Sequence, residues 1–117
     1  MTEICLAIVG CRKYSDYKRF CSIVDKWITA HGKPITIISG GASGVDTMAE
    51  RYANENGIDF IVFKADWQKY GRAAGPVRNK QIVSEATHIL ALPSADSVGT
   101  RDTIAKSKGK HVTVVEI

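Results

Sequence analysis

The chain has 117 residues, 44% of them hydrophobic and 24% charged, with a formal net charge of +4. That balance excludes a disordered chain and fits one domain, residues 1–117, around one hydrophobic core. The mild positive charge favours anionic partners without separating a phosphate-bearing metabolite from a nucleic acid.

The first apolar run, Ile4–Val9, ends at Gly10 and reads as a buried strand. Tyr17, Phe20, Cys21, Val24 and Ile28 then repeat with helical spacing, after Ser15 or Asp16 as cap and before Gly32 as stop. Ile35–Ile38 is β-branched and runs into Ser39-Gly40-Gly41. Val45, Met48, Ala49, Tyr52 and Ala53 give a second apolar helix face, closed by Gly57. Phe60–Phe63 is a third strand. The stretch from Ala65 to Gly75 has no apolar period and is expected to be a long connection. A third helix is expected from Pro76, a good first helical residue, with Val77, Ile82, Val83 and Ala86. Ile89–Leu92, a helix from about Thr100 to Lys108, and Val112–Val115 complete the chain. Alternation of this kind predicts an α/β, Rossmann-like three-layer sandwich with a five-stranded parallel sheet. Its order is expected to be 3-2-1-4-5, with 2-1-3-4-5 as the alternative.

Three cysteines without a regular framework do not make a disulfide scaffold. Cys5 and Cys21 read as small core residues, and Cys11 at a strand end is a candidate reactive thiol. No Cys/His spacing suits zinc, so neither metal nor cofactor is expected. The chain opens without a basic segment followed by a long apolar one, and its apolar runs are too short to cross a bilayer. A cytoplasmic protein with no membrane partner is therefore expected.

Ligands of open α/β sheets bind beyond the carboxyl ends of the strands. Ser39-Gly40-Gly41-Ala42-Ser43-Gly44-Val45-Asp46 leads from strand two into helix two and is the strongest anion-binding signal. It is neither a Walker loop nor a GxGxxG loop. Gly10-Cys11-Arg12-Lys13 places Arg12 at the end of strand one, where it can pair with phosphate. Arg78 and Asn79 are expected in the first turn of helix three. A cation is disfavoured there unless an anionic ligand or a carboxylate such as Asp66 faces it. Trp67 and Tyr70 can stack on a base, or simply pack. Ser97-Val98-Gly99-Thr100 offers a second helix N-terminus, with Ser97 or Thr100 as cap. Asp46, Asp66 and Asp102 are the candidate catalytic carboxylates, and Glu50 shares a helix face with Asp46. His31, His88 and His111 are scattered away from these loops, and no Ser-His-Asp arrangement is suggested.

Gly10-Cys11-Arg12 with Tyr14, the loop Ser39–Asp46 with Ala49-Glu50-Arg51, Ala65-Asp66-Trp67 with Tyr70-Gly71, Ala74–Asn79, and Gly99-Thr100 resemble the YspA/YpsA-related branch of the SLOG superfamily. The motifs span nearly the whole chain in the family's order. The resemblance implies a Rossmann-like fold that binds nucleotides or nucleotide-derived molecules, in proteins of bacteria and phages. It implies that Gly40, Gly41, Gly44, Gly99 and Thr100 line a phosphate site, with Arg78 and Asn79 facing the ligand. Related proteins include the "lonely guy" phosphoribohydrolases and the DNA-processing protein DprA. The phosphoribohydrolases carry Pro-Gly-Gly-x-Gly-Thr followed closely by a catalytic Glu. Here Thr103 stands at the place of that Glu, and Asp102 lies one residue earlier.

The expected ligand set is therefore Gly10, Arg12, Gly40, Gly41, Ser43, Gly44, Asp46, Trp67, Arg78, Asn79, Gly99 and Thr100. The expected function is binding of a nucleotide-derived small molecule, for sensing or sequestering. A nucleotide hydrolase or N-glycosidase is the first alternative. A single-strand nucleic-acid binder using Lys106, Lys108 and Lys110 is the second. Assembly as a homo-oligomer is also expected.

Overall fold

The computed structural model describes residues 3–117, so the first two residues of the expected domain lie outside the described residues. Five strands, β1 (Cys5–Gly10), β2 (Thr36–Ser39), β3 (Asp59–Val62), β4 (His88–Leu92) and β5 (His111–Val114), form one parallel sheet in the order 3-2-1-4-5. The helices are α1 (Tyr17–His31), α2 (Val45–Glu55), a single turn α3 (Trp67–Tyr70), α4 (Ala74–Glu85) and α5 (Val98–Lys106).

Alternation along the strands divides the core in two. Leu6 and Ile8 of β1, with Ile37, Leu90 and Leu92, face Phe20, Val24 and Trp27 of α1 and Val45, Ala49 and Tyr52 of α2. Ala7 and Val9, with Ile38, Ile89 and Ala91, face Ile82 and Val83 of α4. The central strands are covered on both faces, which is why they read as unbroken apolar runs. Phe20, Leu6 and Ile8 are fully buried, and each contributes about 1.5–3 kcal/mol.

Several expectations are corrected. Helix α1 buries Trp27, which the apolar pattern did not include, while Cys21 and Ile28 stay half-buried; Cys5 is half-buried too. The Ala65–Gly75 connection is not structureless. It holds α3, capped by the Asp66 carboxylate on the Lys69 amide (3.1 Å), and a 3-10 turn over Gly71–Ala73. Helix α4 begins at Ala74, two residues before Pro76. Pro76 lies in the first turn, where its missing N–H costs nothing. Helix α5 begins at Val98 and ends at Lys106 rather than running from Thr100 to Lys108.

Because β1 lies between β2 and β4, the chain leaves it to one side for β2 and returns on the other for β4. The crevice at such a switch point opens at the carboxyl ends of β1 and β4. Gly10 ends β1 there because a Cβ would lie 2.6 Å from the Leu92 carbonyl and 2.9 Å from Val45.

Candidate functional site

The crevice is a trough with a narrow waist. The waist, a cavity of about 40 Å³, is bordered by Gly10, Arg12, Gly40, Asp46, Arg78, Asn79, Gly99, Thr100 and Thr103. On the α5 side lies a lobe of about 290 Å³, where Cys11, Lys13, Ser94 and Ser97 join Gly10, Arg12, Gly99 and Thr100. On the β3 side lies a lobe of about 380 Å³, where Gly41, Ser43, Lys64 and Trp67 join Arg12, Gly40 and Arg78. Arg12 borders all three.

The waist is built from buried polar groups. Arg78 donates from Nη1 to the Gly40 carbonyl (2.7 Å) and from Nε to Asn79 Oδ1 (2.9 Å). Asn79, 5% exposed, donates from Nδ2 to Asp102 Oδ2 (3.0 Å) and to the Gly99 carbonyl (3.3 Å). This chain of bonds ties α4 to the β2–α2 loop and to α5. A Cβ at Gly40 would lie 2.6 Å from Arg78 Nη1 and 3.2 Å from Asp46 Oδ2, so a side chain there would push the guanidinium out of this network. Asp46, 7% exposed, accepts at Oδ2 from the Ala42 amide (3.0 Å). Burial pushes its carboxyl up to about 6, against the pull of the Ala42 amide, of Arg78, of the Gly40 amide and of Arg12. Burial also lowers the Arg78 pKa, and the Asp46 charge opposes that.

Two helix N-termini reach the crevice, and they differ. At α2, loop amides are taken by the fold itself: Gly41 donates to Ser39 Oγ (3.2 Å), Ala42 to Asp46, and Val45 to the Cys11 carbonyl (3.1 Å). At α5, Ser97 occupies the cap position, where its carbonyl accepts from the Arg101 amide (3.0 Å) but its side chain does not cap the helix; its Oγ accepts from the Ser94 amide instead (2.9 Å). The amides of Gly99 and Thr100 have no hydrogen-bond partner among the described residues, and neither has the Thr100 hydroxyl, on a residue only 7% exposed. Open donors remain at both ends: the Asp46 and Thr47 amides in the first turn of α2, and at α5 the Gly99 and Thr100 amides together with the Thr100 hydroxyl.

The expected ligand-set residues fall together at this trough, with one exception. Gly44 borders none of its three cavities. Its φ is +69°, and a Cβ would run into the backbone of Cys11 and Arg12, so it closes the α2 loop onto the end of β1. Ser43 reaches the β3-side lobe while donating from Oγ to the Arg12 carbonyl (3.1 Å). Trp67 is 58% exposed and Tyr70 is exposed as well, so packing does not account for either; Trp67 borders the β3-side lobe, and Tyr70 faces a separate groove with Asp66.

The carboxylates separate by role. Asp66 caps α3 and is not the partner of Arg78; Asp46 is the carboxylate whose charge acts there. Asp102 is bound by Asn79 and by Lys106; burial opposes its charge, yet these bonds hold its pKa below the ordinary value. Glu50 is exposed, away from the crevice. Arg78 and Asn79 are the fifth and sixth residues of α4, beyond the first turn. The dipole penalty expected of a cation there has largely faded.

Cys11 lies in the α5-side lobe, and the Ser94 hydroxyl beside it holds the thiol below its usual pKa; no histidine is involved. The three histidines are not scattered. His88 stacks on His111 (4.7 Å) and His31 on Trp27 (4.3 Å), with His31 edge-on to His88, at the opposite end of the sheet. No group of His, Cys, Asp or Glu among the described residues could hold a metal ion. Of the C-terminal lysines, Lys106 donates to Asp102 and Lys110 to the Ala86 carbonyl. Lys64 and Ser94 line the lobes and were not anticipated. Both follow the ends of strands, a position that could have revealed them.

Residues 5–70, more than half of the chain, match the YspA, cpYpsA-related SLOG family. The chain belongs to that family. The Gene 61 protein of Mycobacterium phage D29 is similar to it, 31% identical over 87 residues that cover 69% of this chain and 70% of the phage protein. The part of this SLOG chain matched to the family runs from β1 through α3, so it includes Arg12, the Gly-rich loop and Trp67. Arg78, Asn79, Gly99 and Thr100 lie beyond it. No helix among the described residues is long and apolar enough to cross a membrane.

Proposed function

We propose that the protein binds a nucleotide or nucleotide-derived small molecule in this trough, to sense or sequester it. The observation that carries the reading is the open N-terminus of α5. The free amides of Gly99 and Thr100, with the Thr100 hydroxyl, face a lobe that Arg12 and Lys13 also border. Unpaired amides, a helix dipole and a guanidinium together suit a phosphate. The exposed face of Trp67 in the opposite lobe suits a base. Membership of the SLOG family supports the same ligand class.

Turnover is the second reading, and Asp46 is what favours it. A carboxyl shifted to about 6 is poised to exchange a proton near neutral pH. Asp66 and Asp102 are committed to a helix cap and to the Asn79–Lys106 network, so a hydrolytic reaction would depend on Asp46 alone.

Mass spectrometry of small molecules released from freshly purified, denatured protein tests the proposal. A phosphate-bearing nucleotide is expected, at lower occupancy in Arg78→Ala and in Thr100→Val. Arg78→Ala alone could act through the Gly40 contact, and Thr100→Val removes one hydroxyl with little change of shape. Undiminished occupancy in both variants would move the ligand elsewhere. Incubation of bound nucleotides with the protein, followed by assay for free base or phosphate, separates binding from turnover.

A further inference from the structure

Asp46 is an anion at the floor of a site proposed to hold an anion, and that asks for a reason. Its Oδ2 is bonded to the Ala42 amide, but Oδ1 has no hydrogen-bond partner among the described residues and stays open to the waist of the trough. That oxygen keeps contact with the open trough, so a ligand group that displaces water there has to return a hydrogen bond to it.

The surroundings define that group. It must donate a hydrogen bond, because a carboxylate oxygen only accepts. It is not a cation, since Arg12 and Arg78 border the same cavity. It is not a metal ion, since no second ligand set stands near. It is small: the waist is a cavity of about 40 Å³, a few times the roughly 10–15 Å³ needed to hold one water. A hydroxyl fits there and a base does not. The lobes on either side, about 290 and 380 Å³, take the larger groups. Phosphate, sugar and base are joined in that order in a nucleotide, and the trough offers an anion site, an acceptor and an aromatic face in the same order.

We infer that Asp46 accepts a hydrogen bond from a ribose hydroxyl, so that the site takes ribonucleotide-type ligands in preference to their deoxy counterparts. This rests on the nucleotide reading above. The preference depends on an ionised carboxylate. The charged groups facing Asp46 are Arg78 from α4 and Arg12 after β1, with the amides of Gly40 and Ala42 from its own loop. Since the carboxyl titrates at about 6, the preference is present above that pH and narrows below it.

The test is calorimetric titration with the four ribonucleoside 5′-monophosphates and their 2′-deoxy and 3′-deoxy counterparts. The best-bound ribonucleotide is expected to bind about tenfold more tightly than at least one of its deoxy forms, the worth of one hydrogen bond to a charged group. In Asp46→Asn and Asp46→Ala that ratio is expected to fall to about twofold or less, with the nucleotide still bound. In the unaltered protein it is expected to shrink between pH 7 and pH 5. Ribo and deoxy forms binding equally well would overturn the role of Asp46 and leave the nucleotide reading intact. Binding of none of the twelve would overturn both.

Discussion

The N-termini of α2 and α5 approach the same trough, each with two unbonded first-turn amides, and differ in what precedes the helix. The α2 end follows the more conspicuous sequence, Ser39–Asp46, yet it spends amides on Ser39, Asp46 and Cys11. The α5 end follows an unremarkable Ser97-Val98-Gly99-Thr100 and keeps two amides and a hydroxyl unbonded. A Gly-rich turn into a helix can serve packing, with part of its donors satisfied from within. A plainer turn can bind as well, because no side chain caps the helix it opens.

The same substitution at the two ends should separate them. Gly44→Ala forces a side chain into left-handed backbone against the Cys11 and Arg12 main chain, which cannot swing aside. A loss of about 3–5 kcal/mol, or failure to fold, is expected in urea denaturation. Gly99 has open space around its Cβ position, so Gly99→Ala should leave the fold intact. A comparable loss in both variants would erase the distinction.

The next largest effect concerns Asp46. A carboxyl raised to about 6 in the folded chain, from an ordinary 3.8, binds its proton more tightly there than in the unfolded chain. Its contribution is therefore most favourable at low pH and is lost as pH rises through about 6. Asp46→Asn should stabilise the protein at pH 7.5 by about 1–3 kcal/mol, and this gain should vanish near pH 4. Thermal melts of both proteins across that range decide it; a gain independent of pH would sever the link to ionisation.

Thr100→Val sharpens the comparison from the α5 side. Loss of its hydroxyl should weaken a phosphate-bearing ligand by about 1–1.5 kcal/mol, with stability nearly unchanged. Thr47→Val, which removes the α2 hydroxyl bonded to the Ala42 carbonyl, should affect the ligand less. Smaller still is the expected rise from Gly99→Ala, about 0.5–1 kcal/mol of stability from a better helix former. Away from the trough, burial lowers the His88 pKa, with His111 and His31 adding to it. The unfolded chain then takes up the proton first, so His88 should cost stability as pH falls below its ordinary value of 6.5. A His88→Asn variant that keeps the same acid dependence would exclude this.

The parallel sheet, its order and the positions of the strands were legible in the sequence. Apolar runs ending in turn residues and alternating with amphipathic stretches leave few topologies. The trough's location was legible too, because Gly10, Gly40 and Gly99 stand just where strands end and helices begin. Helix starts were not. Pro76 reads as a first residue, but Asp66 nucleates a turn upstream that carries the helical backbone to Ala74. The partner of Arg78 was misread for a related cause: Asp66 is nearer in sequence, while the α2 loop brings Asp46 to Arg78 across the sheet.

By itself the sequence determined which residues lie at the carboxyl edge of the sheet, since hydrophobic period and turn chemistry are local properties. Only the tertiary structure decided which of their polar groups remain available. Ser39 and Asp46 fold back on the α2 loop, while Ser97 turns from its helix toward Ser94. Which donor finds a partner depends on distances between segments far apart in the chain, and no local pattern records them.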